Sequence, residues 1–205
     1  MKQTAAIIGL GFVGKSHVQA LRRLAIPIRG VLGSSPERSA AACRALGLER
    51  AYASLDELAA DLAVSAVHIC TPNSAHFAQV SRLLRAGKHI LCEKPLAMDS
   101  RESAELVRIA GESGCVGAVA YNLRYYPLCH EARPLVSRGA SGRVHLVHGS
   151  FLQDWLLFPG DWNWRLDPHL GGDLRAVSDI GTHWLDLVMW ITGQCRTQDS
   201  LAVRD

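Results

Sequence analysis

The fold of this chain is decided by the stretch Thr4-Ala5-Ala6-Ile7-Ile8-Gly9-Leu10-Gly11-Phe12-Val13-Gly14. Its apolar run, ended by glycine, is typical of a buried strand, and the apolar residues Val18, Leu21 and Ala25 then predict a helix. Strand, GxGxxG and helix in this order are typical of a dinucleotide-binding turn. The three glycines permit a tight turn, close approach of a pyrophosphate to the backbone, and packing of the helix on the strand. A glycine-rich turn without a ligand is the alternative.

The rest of the first half repeats the alternation of strand and helix. Such repeated units predict an α/β fold with a doubly wound parallel sheet and right-handed crossovers. A capping box at Ser54-Leu55-Asp56-Glu57 predicts the start of a short helix, and Asp99 with Glu102 predicts another. The predicted strands are 28–32, 64–70, 89–92 and 116–120, and the other predicted helices are 36–46, 74–86 and 99–110.

The end of the second strand bears on the choice of cofactor. An NAD site usually has an acidic residue about 20 positions after the glycine motif, to accept from the ribose 2′-hydroxyl. Counting from Gly14 leads to Ser34, with Ser35 and Arg38 close by, and these side chains suit a 2′-phosphate better. The sequence therefore favours NADP over NAD, although Arg38 is equally compatible with an outward position on the helix 36–46.

Two further loops follow strands of the predicted sheet. Thr71-Pro72-Asn73 comes after the strand 64–70, and Glu93-Lys94-Pro95 comes after the strand 89–92. Because parallel strands end at one edge of a sheet, both loops are predicted to border the same crevice as the glycine loop. Pro95 fixes the local backbone and is a candidate for a cis peptide bond.

The second half has a different pattern. A helix is predicted over 127–138 and a long strand over 143–151. Aromatic faces beside charged groups in the loop 153–170 suit a polyhydroxylated ligand, although the tryptophans are equally compatible with packing of the loop. The relevant residues are Trp155, Trp162 and Trp164 among Asp154, Asp161, Arg165 and Asp167.

Asp179 and His183 stand four residues apart at the start of an apolar helix that runs to about Ile191. Residues with this spacing share one face of a helix. A structural ion pair, worth roughly 0.3–0.5 kcal/mol, and a pair of metal ligands are both open readings. Because no third ligand is evident, no metal is predicted.

Composition limits the function classes. The net charge is 22 − 19 = +3, which gives no reason to predict nucleic-acid or membrane binding. No apolar run approaches the roughly 20 residues of a membrane span, and the apolar start leads into glycines rather than a cleavage site. The six cysteines lack CxxC spacing and predict reduced thiols in a cytoplasmic protein, namely Cys43, Cys70, Cys92, Cys115, Cys129 and Cys195.

Together these motifs resemble the glucose-fructose oxidoreductase / inositol dehydrogenase / MocA family of NAD(P)-dependent oxidoreductases. Their order along the chain is that of the family, and they span nearly all of it. The resemblance is carried by Gly9-Leu10-Gly11-Phe12-Val13-Gly14, Thr71-Pro72-Asn73 with His76, Glu93-Lys94-Pro95, Asn122 to Pro127, Gly171-Gly172 and Asp179-Ile180-Gly181-Thr182-His183.

The resemblance implies hydride transfer between a nicotinamide cofactor and a sugar- or cyclitol-type alcohol or ketone. It implies that Lys94, Asp179 and His183 form the catalytic group. The implied cofactor contacts are Gly9, Gly11, Phe12, Val13, Gly14, Thr71, Pro72, Asn73, His76, Glu93 and Lys94, besides the candidates Ser34, Ser35 and Arg38. The candidate substrate contacts are Asn122, Arg124, Trp164 and Arg165.

The resemblance also implies a domain organisation. We expect a Rossmann domain at 1–121 and a partial substrate and dimerisation domain at 122–205. Family members carry a longer, α+β, dihydrodipicolinate-reductase-like sheet, through which the parent protein is expected to form a homo-oligomer, so this chain is expected to be C-terminally truncated. The alternatives are a non-catalytic cofactor-binding regulator of the same architecture and an inactive fragment.

Overall fold

The structure, a computed structural model, describes residues 3–193. Its contacts divide into two compact units. The first comprises the chain up to residue 120 together with 162–175, and the second comprises 121–161 and the chain from 176 onward. The division into domains at 1–121 and 122–205 stays a prediction, and the contacts group the segment 162–175 with the first unit.

A six-stranded parallel sheet forms the centre of the first unit. Its strand order is β3-β2-β1-β4-β5-β6, so the chain winds outward in both directions from the pair β1 and β4. This order confirms the predicted doubly wound fold, and it creates a crevice where the direction of winding reverses. The strands are β1 Ala5–Ile8, β2 Ile28–Leu32, β3 Arg50–Tyr52, β4 Ala66–Ile69, β5 His89–Cys92 and β6 Gly117–Val119.

Helices cover both faces of this sheet. The helices of the described chain are α1 Phe12–Arg23, α2 Pro36–Leu46, α3 Leu55–Ala60, α4 His76–Arg85, α5 Ser100–Ser113, α6 Pro127–Ser137, α7 Pro168–Gly171 and α8 Thr182–Thr192. None of them has the length and apolar character required to cross a membrane. Two begin at the predicted caps Ser54 and Asp99, and a third begins at Ser35; each of the three side chains accepts a hydrogen bond from a backbone N–H three residues on. A cap of this kind is worth about 1 kcal/mol.

The core lies on both sides of β1, because successive side chains of a strand point to opposite faces. Ala5 and Ile7 pack with Val18 and Leu21 of α1. On the other face, Ala6 and Ile8 belong to a larger cluster that includes the apolar sides of α4 and α5. A strand that is buried on both faces appears in sequence as a continuous apolar run, which is why the first strand is readily predicted.

β3 is the strand that sequence reasoning missed. It has only three residues, two of them charged or small, and an alternating apolar pattern is absent. Its Tyr52 is nevertheless fully buried, and the phenol hydroxyl donates to Asp61 Oδ2 at 2.9 Å. Pairing with β2, rather than local propensity, therefore makes this segment a strand.

The predicted strand over 143–151 is wrong. The described chain there has no ladder partner and no regular secondary structure. Alternation of apolar and polar residues predicts an extended backbone, but a strand also requires a neighbour with which to exchange hydrogen bonds. Without one, Leu146 is 83% exposed.

The second unit is built mainly from α6 and α8. The Trp190 ring of α8 lies 5.3 Å from the His130 ring and 4.7 Å from the Arg133 guanidinium, both of α6. A π-helical turn, Val177–Gly181, precedes α8 and is a detail that sequence periodicity does not predict. The five cysteines within the described residues are unpaired, as predicted, and Cys195 lies outside them.

Candidate active site

Four loops with predicted functional residues follow strands of the first unit at the same edge of the sheet. They come after β1, β2, β4 and β5, and every strand pair is parallel. The loops after β1 and β4 flank the crevice at which the winding reverses. The prediction that these loops share one edge is therefore confirmed by the sheet topology.

The three glycines of the first loop have three different surroundings. Gly9 has a φ of +82°, and a Cβ there would lie 2.5 Å from the carbonyl oxygen of Cys70. A Cβ on Gly14 would lie 2.0 Å from the carbonyl oxygen of Gly9. A Cβ on Gly11, whose φ is −66°, would meet nothing within 4 Å. Gly9 and Gly14 are thus required by the fold, whereas Gly11 leaves open space at the start of α1.

The start of α1 suits an anion. Its first turn, which includes Phe12 and Val13, has no acidic side chain, and Gly11 caps it without a side-chain hydrogen bond. The first N–H groups of a helix have no intrahelical acceptor, and the helix dipole adds partial positive charge there. The residues therefore fit the pyrophosphate of a dinucleotide.

At the end of β2, Arg38 Nη1 donates to Ser34 Oγ at 3.1 Å. This contact brings a cation to the strand end. Ser35 Oγ accepts from the Arg38 backbone N–H at 3.3 Å and caps α2, so this hydroxyl has a structural role as well.

The loops after β4 and β5 are joined by His76. Its ring is fully buried, with Nδ1 2.8 Å from the carbonyl oxygen of Pro95 and Nε2 3.0 Å from that of Thr71. Burial lowers the pKa of His76, against the raising effect of these carbonyls and of Glu93. Both ring nitrogens are engaged by the protein, so the contribution of His76 to a cofactor site is indirect. The Lys94–Pro95 peptide is cis, in agreement with the sequence.

Asn73 and Gly171 bring two predicted motifs together within the first unit. The Asn73 amide is buried and donates to the carbonyl oxygen of Gly171 at 2.8 Å. Nearby in sequence, the Arg165 guanidinium lies 4.4 Å from the centre of the Trp164 ring. The side-chain NH2 of Asn73 therefore holds the loop at Gly171, and Trp164 and Arg165 stack on each other.

Glu93 contacts helix α1 through a histidine. Its Oε1 lies 3.0 Å from His17 Nε2, and His17 Nδ1 lies 2.9 Å from His68 Nδ1. Burial and the neighbouring His17 lower the pKa of His68 to about 4. Sequence reasoning missed both histidines, although an imidazole within an apolar strand such as β4 is a signal for a buried polar contact.

In the second unit, His183 lies near two aromatic rings. The Tyr121 ring is 5.8 Å away and the Phe151 ring 6.3 Å away, each close to perpendicular. Burial raises the pKa of Tyr121 against the lowering effect of a hydrogen bond with Thr182, the residue before His183. Asp179 lies one turn earlier, in the π-helical turn. Lys94 lies in the first unit, so the predicted catalytic group is divided between the two units.

Arg124 forms a two-pronged ion pair with Asp186 of α8. Its Nε donates to Oδ2 at 2.6 Å, and Nη2 donates to Oδ1. The Asp186 hydrogen bond raises the pKa of Arg124. Asp186 was missed by sequence reasoning, although a carboxylate in an apolar helix usually requires a cationic partner. Arg124 and its neighbour Asn122, in the turn Asn122–Tyr125, stay predicted substrate contacts.

Comparison with known proteins gives relatives along nearly the whole chain. It is 33% identical over 198 residues to levoglucosan dehydrogenase of Pseudarthrobacter phenanthrenivorans, which covers 92% of this chain and 50% of that protein. It is 34% identical over 136 residues to a D-xylose 1-dehydrogenase [NADP(+)] of Haloarcula marismortui, with coverage of 66% and 38%. The chain spans about half the length of such curated relatives.

Solved structures and family models agree with this. A structure of levoglucosan dehydrogenase in complex with NADH and levoglucosan superposes with a TM-score of 0.89 at 31% identity, covering 95% of this chain and 55% of that one. Residues 4–121 match the model described as oxidoreductase family, NAD-binding Rossmann fold, and residues 129–200 match the GFO/IDH/MocA C-terminal domain. The chain therefore belongs to the Gfo/Idh/MocA family of oxidoreductases, as its motifs indicated.

Proposed function

We propose that this protein transfers a hydride between a nicotinamide dinucleotide and a sugar- or cyclitol-type alcohol or ketone. The main support is the arrangement of the first unit. The glycine loop and Glu93-Lys94-Pro95 follow strands β1 and β5 at one sheet edge, and the glycine loop flanks the point where the winding reverses. A lysine at that edge lies where open α/β sheets bind their ligands.

The nicotinamide supplies the hydride chemistry, and the protein supplies orientation and proton transfer. In this proposal His183 takes or returns the hydroxyl proton, and Asp179 orients its ring. Lys94 hydrogen-bonds the same oxygen and stabilises the charge that develops on it. A lysine suits this role because its pKa responds readily to desolvation and to nearby charge.

We propose NADP as the preferred cofactor. Ser34 and Arg38 supply a hydroxyl and a guanidinium at the end of β2, and no carboxylate occupies the 20th position after Gly14. A guanidinium binds phosphate through charge-assisted hydrogen bonds. The relatives differ in cofactor. The levoglucosan dehydrogenase structure is a complex with NADH, whereas the xylose dehydrogenase is named for NADP.

The variant Arg38→Ala tests which of the two dinucleotides the site prefers. We expect the affinity for NADPH to fall about tenfold, because a hydrogen bond to a charged group is worth roughly 1.5–3 kcal/mol. The affinity for NADH is expected to change less than about twofold. Titration of cofactor fluorescence measures both, with Arg44→Ala in the same helix as the control. An equal loss for both cofactors would refute the assignment.

The names of the relatives favour a sugar substrate. Levoglucosan and D-xylose are both polyhydroxylated. Trp164 and Arg165 are the proposed substrate contacts of the first unit, and Asn122 and Arg124 those of the second. We also propose that the protein forms a homo-oligomer through its C-terminal domain.

The proposed function is tested by hydride transfer over a panel of aldoses, anhydrosugars and cyclitols. Absorbance at the reduced-nicotinamide band follows the reaction with NADP and then with NAD. We expect saturable turnover with at least one sugar or cyclitol. Cofactor binding without turnover over the whole panel would instead favour a dinucleotide-binding regulator.

A further inference from the structure

A hydrogen-bonded chain of three titratable side chains connects helix α1 to the segment Glu93-Lys94-Pro95. It runs from His68 on β4 through His17 on α1 to Glu93, with ring-to-ring and ring-to-carboxylate distances of 2.9 Å and 3.0 Å. The His17 and Glu93 side chains retain only 13% and 17% of their exposure. The chain thus ties the helix of the glycine loop to the loop that carries Lys94.

The proton positions in this chain follow from its geometry. A carboxylate can only accept, so the Nε2 of His17 must carry a proton toward Glu93. When His17 is neutral its Nδ1 is then an acceptor, and His68 Nδ1 must donate to it. When His17 is charged its Nδ1 donates, and a neutral His68 accepts with its own proton on Nε2. His68 can therefore serve both charge states of His17 by a change of tautomer.

Burial disfavours the charged forms of the other groups around Glu93. Glu93 interacts electrostatically with Cys70, Cys92 and His76. Burial raises the pKa of both thiols, to about 12 for Cys70, and lowers the pKa of His76. Lys94 follows Glu93 on the same loop. The ring N–H of His17 donates a hydrogen bond to the Glu93 carboxylate.

We infer that His17 and His68 are positioning residues, which fix the Glu93 carboxylate and with it the loop that presents Lys94 to the cofactor. This inference rests on the proposed function, since it assumes that Glu93 and Lys94 border a bound dinucleotide. His68 acts by hydrogen-bonding His17 Nδ1 at 2.9 Å, which orients the imidazole ring so that its Nε2–H points at Glu93.

The first test measures the affinity of the full chain and its variants for NADPH and NADH. We expect His17→Leu and His68→Val each to weaken binding of the preferred dinucleotide on the order of tenfold, within the 10–100-fold range of lost supporting contacts. His17→Gln keeps an amide donor for Glu93 and is expected to lose no more than about threefold. Gln19→Leu, on the exposed side of α1, is the control. Wild-type affinity in His17→Leu would overturn the inference.

A double-mutant cycle distinguishes a positioning role of the two histidines from a purely structural role. In a Glu93→Gln background there is no carboxylate to orient, so His68→Val is expected to cost at most about twofold. An equal loss in both backgrounds would assign the histidines a structural role only. Should His17→Leu not fold, His68→Val carries the test, because valine suits a buried strand.

Nitrogen-15 correlation spectra of the imidazole rings report directly which ring nitrogens carry a proton. We expect a proton on His17 Nε2 at pH 6 and at pH 8, in the wild type and in His68→Val, because the Glu93 carboxylate can only accept. An unprotonated Nε2 at pH 8 in the wild type would overturn the inference. A wild type that binds dinucleotide and has the expected tautomer, but transfers no hydride, would refute the proposed function and leave the positioning role intact.

Discussion

Replacing His183 with alanine is expected to lower turnover by about 10²–10⁴-fold, the usual contribution of a positioned acid or base. Lys94→Ala is expected to have an effect of similar size. In each variant the dinucleotide should still bind within about threefold of the wild type. The reason is that the proposed function places the pyrophosphate at the start of α1 and assigns these two side chains to the reacting oxygen.

Two aromatic side chains lie near the His183 ring in the second unit. The Tyr121 and Phe151 rings stand edge-on to its ring, at centroid distances of 5.8 Å and 6.3 Å. His145→Ala is a matched control, since that histidine is exposed in the same unit. Initial rates with a saturating sugar and a separate cofactor titration make the measurement. Unchanged turnover in either Lys94→Ala or His183→Ala would exclude that residue from the catalytic group.

The first unit was predictable because its signals are local. The bounds of β2, α2 and β5 agree with the sequence prediction to the residue, since glycine, proline and capping residues delimit them. The glycine loop and Glu93-Lys94-Pro95 were predictable for the same reason. Parallel strands then carry such loops to one edge without further information.

The parts that sequence reasoning missed depend on partners distant in the chain. β3 exists through pairing with β2, and the segment 143–151 lacks a strand partner within the described residues. His17 and His68 are 51 residues apart, and Arg124 and Asp186 are 62 apart. No local pattern of polarity specifies which buried polar groups meet, because many pairings satisfy the same burial requirement.

Two alanine substitutions in the glycine loop each add one methyl group, and we expect one to affect folding and the other to affect dinucleotide binding. Gly14→Ala is expected to lower the melting temperature by about 2–12 °C or to prevent folding, because its Cβ would meet the Gly9 carbonyl oxygen at 2.0 Å. Overpacking costs roughly 1–3 kcal/mol or more, and 1 kcal/mol corresponds to about 2–4 °C for a chain of this size.

Gly11→Ala is expected to behave in the opposite way. Its φ is ordinary and the space around the added methyl group is open, so the melting temperature should change by less than about 2 °C. The same methyl group would stand where a pyrophosphate approaches the backbone, and dinucleotide affinity should fall at least about tenfold. Gly111→Ala is the matched control, since its Cβ also meets open space but lies on α5. Dinucleotide affinity that survives Gly11→Ala unchanged would exclude a pyrophosphate from the start of α1, because neither packing nor backbone conformation requires a glycine at that position.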